Sequence, residues 1–158
     1  MHERHDQQVM RRVERLRCLT GRDLRLMAEA LWLVVQIRVG LWLFPFKRVH
    51  RRYGRSLGRR PVWGTAVPDS AAVRSIGAAV RRSSRLVPAA TCLPQALAAH
   101  VMLERRAVPN DLRFGVARAS TGALEAHAWV EVGGAVIVGD LPDLSRYQQM
   151  PDLPVDLA

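Results

Sequence analysis

Cysteine is scarce in this chain. There are two, Cys18 and Cys92, far apart and outside any Cys-x-x-Cys arrangement. That spacing excludes a disulfide scaffold and the usual cysteine-rich structural zinc site. Lysine is scarcer still: Lys47 is the single one among 24 basic residues. Aromatic residues make up 6% of the chain, too few and too scattered for a base-stacking platform, so nucleic acid is not an expected partner. No apolar run is long enough for a membrane span, because Arg25, Glu29, Gln36 and Arg38 interrupt the stretch Leu24–Phe46. Dinucleotide-binding, phosphate-loop and His-Glu-x-x-His motifs are all missing, so no cofactor and no metal are expected. The segment Met1–Arg17 is polar and does not read as a signal peptide. Both thiols are therefore expected free, in a reducing cytoplasmic compartment.

What is present is a globular composition: 158 residues, 49% hydrophobic and 24% charged. The net charge of +10 is unevenly placed. Residues 1–60 hold 15 basic and 5 acidic residues, whereas residues 61–158 hold 9 of each. A basic, helical front over 1–60 is thus followed by a neutral domain over 61–158. The front suggests an anionic or acidic partner, although arginine-rich codon usage alone would also produce it. Within it, Arg25, Glu29 and Gln36 form one polar stripe on an otherwise apolar helix from about Arg22 to Phe44, stopped by Pro45. Lys47–Pro61, with Gly54, Gly58 and Pro61, reads as a basic boundary segment. Pro68-Asp69-Ser70 looks like a helix start, and Val73, Ile76, Ala79 and Val80 recur at helical spacing over Ala71–Ser83.

The second half reads as a helix from Cys92 to Arg106, with Pro94 tolerated in its first turn, followed by three strands. Leu112, Phe114 and Val116 alternate with Arg113, Gly115 and Ala117, and "LEAHAWVEV" and "AVIVGD" flank a Gly133-Gly134 turn. The fold class is α+β: a cysteine-bearing helix on an antiparallel meander.

Cys92 is the one cysteine in the setting of a nucleophile. A helix N-terminus favours thiolate over thiol and presents backbone N–H groups to an oxyanion. A buried structural cysteine is the commoner alternative. His127, mid-strand between two alanines, has room around its ring and is the candidate base. A uniform two-residue hairpin pairs Val132 with Ala135 and Glu131 with Val136, and by extension His127 with Asp140. On that register Asp140 accepts the imidazole N–H, on the same face as Trp129 and Val138, and completes a Cys92–His127–Asp140 triad. An ordinary cross-strand ion pair is the alternative. The other histidines fall in the terminus (His2, His5), the basic segment (His50) or the helix body (His100). Ser145 has no base nearby in sequence.

Cys92-Leu93, Gly115-Val116, His127-Ala128-Trp129-Val130-Glu131 and Asp140 together resemble the lasso-peptide leader peptidases of the transglutaminase-like cysteine protease superfamily. The resemblance covers most of residues 22–140. Three positions depart from the family pattern: Gln95 stands where Arg is frequent, Ala107 where a glycine ends the helix, and Gly139 where Asn is common. The resemblance implies a transglutaminase/papain-like core and a peptidase that cuts the leader from a ribosomally made precursor. It implies three partners: the precursor's leader, a separate leader-recognition protein and an ATP-dependent lasso cyclase. The chain resembles the stand-alone protease half of such systems. Its front would then be a docking surface for the recognition protein, or in second place for a membrane surface. Two other readings use the same residues: a transglutaminase-like acyl transferase or amidase, and a basic binding module.

Overall fold

The computed structural model describes residues 20–54 and 70–150. Cys18, Arg55–Pro61 and Pro68-Asp69 lie outside the described residues. The first helix, α1 (Gly21–Leu43), begins at a capping box in which the Thr20 hydroxyl accepts from the Asp23 N–H and the Asp23 carboxylate accepts from the Thr20 N–H. Its inner stripe, Leu26, Ala30, Leu33, Val34 and Ile37, is buried. It stops where expected, because the residue before Pro45 is driven to extended backbone: Phe44 has φ −131° and ψ 151°.

Pro45 then opens a second helix, α2 (Phe46–Tyr53), in what the sequence suggested was a boundary segment. Its basic residues had masked an amphipathic turn. Val49 enters the core, and the Phe46 and His50 rings meet Phe114 at centroid distances of 6.1 and 5.6 Å. Lys47, Arg48, Arg51 and Arg52 are left on the outside.

The third helix, α3 (Ser70–Ser84), buries Val73, Ile76, Ala79 and Val80, the positions its periodicity picked out. The fourth, α4 (Cys92–Glu104), ends slightly before the expected Arg106. There Ala107 takes a left-handed conformation (φ 53°), with Ala107 N–H on Glu104 O and Val108 N–H on Leu103 O, both at 3.0 Å. That is the Schellman pattern, made with alanine where glycine is usual. Glu29 ties α1 to this end of α4 through Arg105 (3.0 Å) and Arg106 (2.7 Å). Partial burial pushes the Glu29 carboxyl up, but the hydrogen bonds and charges of Arg106 and Arg105 outweigh it and hold the group below the usual glutamate range.

The sheet has the order β3-β2-β1-β4, all antiparallel. Its strands are β1 (Asp111–Arg118), β2 (Leu124–Val132), β3 (Ala135–Val138) and the two-residue β4 (Gln148–Gln149), which follows a short 3-10 turn at Leu144–Arg146. The strand β4 and its turn were not expected; they add a fourth strand to the outer edge of β1. Helices α4 and α3 pack on one face of the sheet and α1 packs on them in turn, so that Ala128, Val130 and Val138 join Leu33, Leu97 and Met102 in one apolar cluster. The inner face of α1 belongs to that same cluster.

The β2–β3 hairpin departs from the uniform register. Val132 pairs with Ala135 and Glu131 with Val136, but the next pair is Val130 with Val138. Ile137 is the extra residue of a β-bulge, and its carbonyl accepts from Arg81 Nη1 of α3 at 2.5 Å. Gly77, one turn before Arg81, makes this approach possible: a Cβ there would lie 2.8 Å from Ile137 O. Val138 thereby falls on the core face with Val130, not on the face of His127 and Trp129.

Candidate active site

Thr91 is the N-cap of α4 with extended backbone, and its side chain makes no capping hydrogen bond. The first-turn N–H groups at Cys92 are therefore not taken by a capping side chain. Pro94 is buried in that turn, and Gln95 is anchored by its amide: Nε2 donates to Ala90 O at 2.8 Å. Cys92, half-buried, opens onto a cavity of about 680 Å³ whose wall also includes Gln95, His127, Asp140, Arg74 and Arg81. The three residues singled out from sequence thus line one cavity, brought there by the start of α4, the middle of β2 and the turn after β3.

His127 is held on three sides. Its ring stacks on Trp129 (centroids 6.0 Å apart, planes 16° apart) and meets Tyr147 at 5.3 Å. Its Nε2 lies 2.7 Å from Gly139 O. A carbonyl oxygen only accepts, so Nε2 carries the hydrogen and Nδ1 of the neutral ring holds the free lone pair. The tautomer is thereby fixed by a backbone group.

The expected direct pairing of His127 with Asp140 does not form. The bulge at Ile137 shifts every later residue by one position, so His127 and Asp140 are not a directly opposed pair. The imidazole N–H goes to the Gly139 carbonyl instead of the Asp140 carboxylate. Asp140 is exposed and reaches the cavity from its rim. Gly139 itself has φ +88°, and a Cβ on it would come within 2.6 Å of Ala128 O and 2.7 Å of Trp129 Cβ. A side chain there would be strained as well as crowded, so the position calls for glycine.

Several residues of the site carried no sequence signal. Arg74 and Arg81 lie on a helix upstream of the cysteine, and Tyr147 lies beyond the last strand read from the sequence. Gln95 stood out in the sequence only by comparison with the resembled pattern, where arginine is frequent. The remaining described histidines are elsewhere. His100 is buried, with Nδ1 2.7 Å from Asn110 Oδ1 and Nε2 without a partner. His50 packs beneath Phe46 and Phe114; burial, with a smaller contribution from His100, pushes its pKa below the ordinary 6.5. Among the described residues, no group of three or more His, Cys, Asp or Glu side chains is placed to hold a metal ion.

Compared with known families, the chain matches the model of the transglutaminase-like superfamily over residues 40–152. The match begins near the end of α1 and contains every residue of the cavity wall. No curated protein and no solved structure matches the chain.

Proposed function

Because the chain belongs to the transglutaminase-like superfamily, we propose that it is a cysteine peptidase that removes the leader from a ribosomally made lasso-peptide precursor before ring closure. Superfamily membership supports a function of the cysteine protease or acyl transferase type. The observation that carries the cysteine-nucleophile chemistry is the shared cavity: a thiol at an uncapped helix N-terminus and an imidazole whose tautomer leaves Nδ1 as the base; the leader as substrate rests on the resemblance carried by Cys92-Leu93 and His127–Glu131.

In this reading the Cys92 sulfur attacks the carbonyl carbon of the leader's last residue while His127 Nδ1 takes the thiol proton. The tetrahedral oxyanion is received by the Cys92 backbone N–H. A second donor is Gln95 Nε2, which has one hydrogen on Ala90 O and another to give. The C–N bond breaks as His127 returns its proton to the leaving amine. Water, deprotonated by His127, then attacks the thioester carbonyl; the C–S bond breaks, the leader leaves with a free carboxyl group, and the proton on His127 returns to the Cys92 sulfur. Gly139 O holds the ring throughout, and the Asp140 carboxylate at the rim stabilises the imidazolium through space. Arrival of an amine in place of water would turn the same steps into acyl transfer.

The partners in this reading are the leader of the precursor, a separate leader-recognition protein and an ATP-dependent cyclase. The docking surface is the outer side of α1 and α2. There Trp32 and Trp42 are 62% and 78% exposed. Arg48 covers Phe44 at 5.2 Å. By length and composition α1 would suffice to cross a membrane, but its inner stripe lies in the core. The working location is the cytoplasm, with a membrane surface as the other candidate for contact with the front.

The test is mass spectrometry of a synthetic precursor incubated with the full chain and its recognition protein. Hydrolysis releases a leader ending in a free carboxylate and a core with a free amine, and Cys92→Ala abolishes both products. A leader joined to an added amine would identify acyl transfer instead. An unchanged precursor with a folded wild-type chain and partner present would remove the peptidase reading.

A further inference from the structure

The cavity that holds Cys92 and His127 carries two arginines on its wall, Arg74 and Arg81, both exposed. They lie two turns apart on α3, about 10 Å along its axis, with Gly77 between them on the same stripe. Arg81 is fixed by its bond to Ile137 O. Arg74 is different: among the described residues it has no hydrogen-bond or ion-pair partner. Arg105, Arg106, Arg113 and Arg146 all have carboxylate partners. The single carboxylate on the cavity wall, Asp140, pairs with neither Arg74 nor Arg81. Among the described residues the wall therefore carries two positive charges, one anchored and one not, against one negative, and the Arg74 guanidinium fork is open to the solvent of the cavity.

We infer that the cavity selects peptides bearing an aspartate or glutamate close to the scissile bond, with Arg74 as the specificity residue that takes the carboxylate. The inference rests on the peptidase reading, which makes the cavity a substrate site. A planar guanidinium matches a carboxylate through two parallel N–H···O bonds, which neither the neutral amides nor the hydroxyls of other side chains offer. Arg81, already committed through Nη1, supplies field and holds the wall in place. The contribution is moderate because the site is open to water.

The charge preference can be read at the thiol without any peptide. Iodoacetate and iodoacetamide alkylate a thiolate in the same way: sulfur forms a bond to the methylene carbon, iodide leaves with its electron pair, and the thiol proton passes to solvent. The two reagents differ in charge and hardly in size. Second-order rates for Cys92 are measured in a Cys18→Ala background, and the iodoacetate-to-iodoacetamide ratio is compared with that of 2-mercaptoethanol. The ratio at Cys92 should exceed the reference by about tenfold at low salt and shrink as salt screens the wall. Arg74→Gln should lower the iodoacetate rate several-fold and leave the iodoacetamide rate within about twofold, which also shows that fold and thiol are intact. Arg74→Lys should keep most of the preference. A ratio equal to the reference, or one that Arg74→Gln leaves alone, overturns the inference; so does an equal loss with both reagents. A reactive Cys92 that is blind to charge would leave the peptidase reading standing. A Cys92 inert to both reagents would remove that reading and this inference together.

Discussion

A single added methyl group at Gly139 would strike Ala128 O and the Trp129 side chain while its φ of +88° strained the backbone. Gly139→Ala should therefore displace the carbonyl that fixes His127, and both melting temperature and kcat should fall; an unchanged kcat would deny the carbonyl its part. The same geometry sets the weight of Asp140. Where a carboxylate holds the catalytic tautomer, its conversion to an amide can cost about 10⁴ in kcat. Here a backbone carbonyl holds it, so Asp140→Asn should cost only about tenfold, against near-complete loss in His127→Ala. A loss in Asp140→Asn as deep as that in His127→Ala would mean that the ring turns to the carboxylate during the reaction. For Gln95, the amide bond to Ala90 O leaves one N–H to spend on the oxyanion. Gln95→Ala should lower kcat by about 10² with KM little changed, the pattern of a donor used in the transition state. A rise in KM alone would make Gln95 a substrate contact.

The elements were largely readable in the sequence. Period and punctuation gave α1, α3, α4 and three strands to within a few residues, because proline, capping residues and apolar spacing act locally. The bulge was not readable, for a physical reason. Register is set by alternation, and β3 reads Ala-Val-Ile-Val, apolar at every position, so a one-residue slip leaves no mark in the pattern. What fixes the slip is distant in the chain: Arg81 on the Ile137 carbonyl and the bare backbone at Gly77. Two glutamines make β4, a pattern no periodicity can reveal, and α2 was hidden because one buried Val49 sits among arginines. Cys92, His127 and Asp140 were legible as chemistry, by type and setting; Arg74 and Arg81 on the wall were not, and neither was the acceptor for His127, since a carbonyl belongs to every residue. Alanine at φ 53° pays for a conformation that glycine adopts freely, so Ala107→Gly should stabilise the fold by about 1 kcal/mol and raise the melting temperature by a few degrees. No rise would mean that the flexibility gained in the unfolded chain cancels the relief.

The whole molecule combines a half-buried histidine, His50, packed against its core with a basic, partly apolar outer side. His50 has its folded pKa below the ordinary 6.5 because burial disfavours its charged form. Above that value both folded and unfolded chains carry it neutral; below it the unfolded chain binds the proton first, so stability falls as pH drops. Thermal melts between pH 7 and pH 5.5 should show that loss, and His50→Gln should show a smaller one; identical slopes would remove His50 as a source. On the outer side, charge reversal at Arg51 and Arg52 should weaken cleavage in the presence of the recognition protein and leave partner-free activity unchanged. Equal loss in both assays would mean that α2 supports the active site instead of a partner. The short strand β4 bears on where such an enzyme can be trimmed. Cys92, His127 and Asp140 would all survive a stop codon placed straight after Asp143. Yet Tyr147, whose ring closes one side of His127, and the bond from Met150 N–H to Phe114 O would be gone. A gene shortened to its reactive residues would encode an imidazole open to water on the side that Tyr147 now shelters.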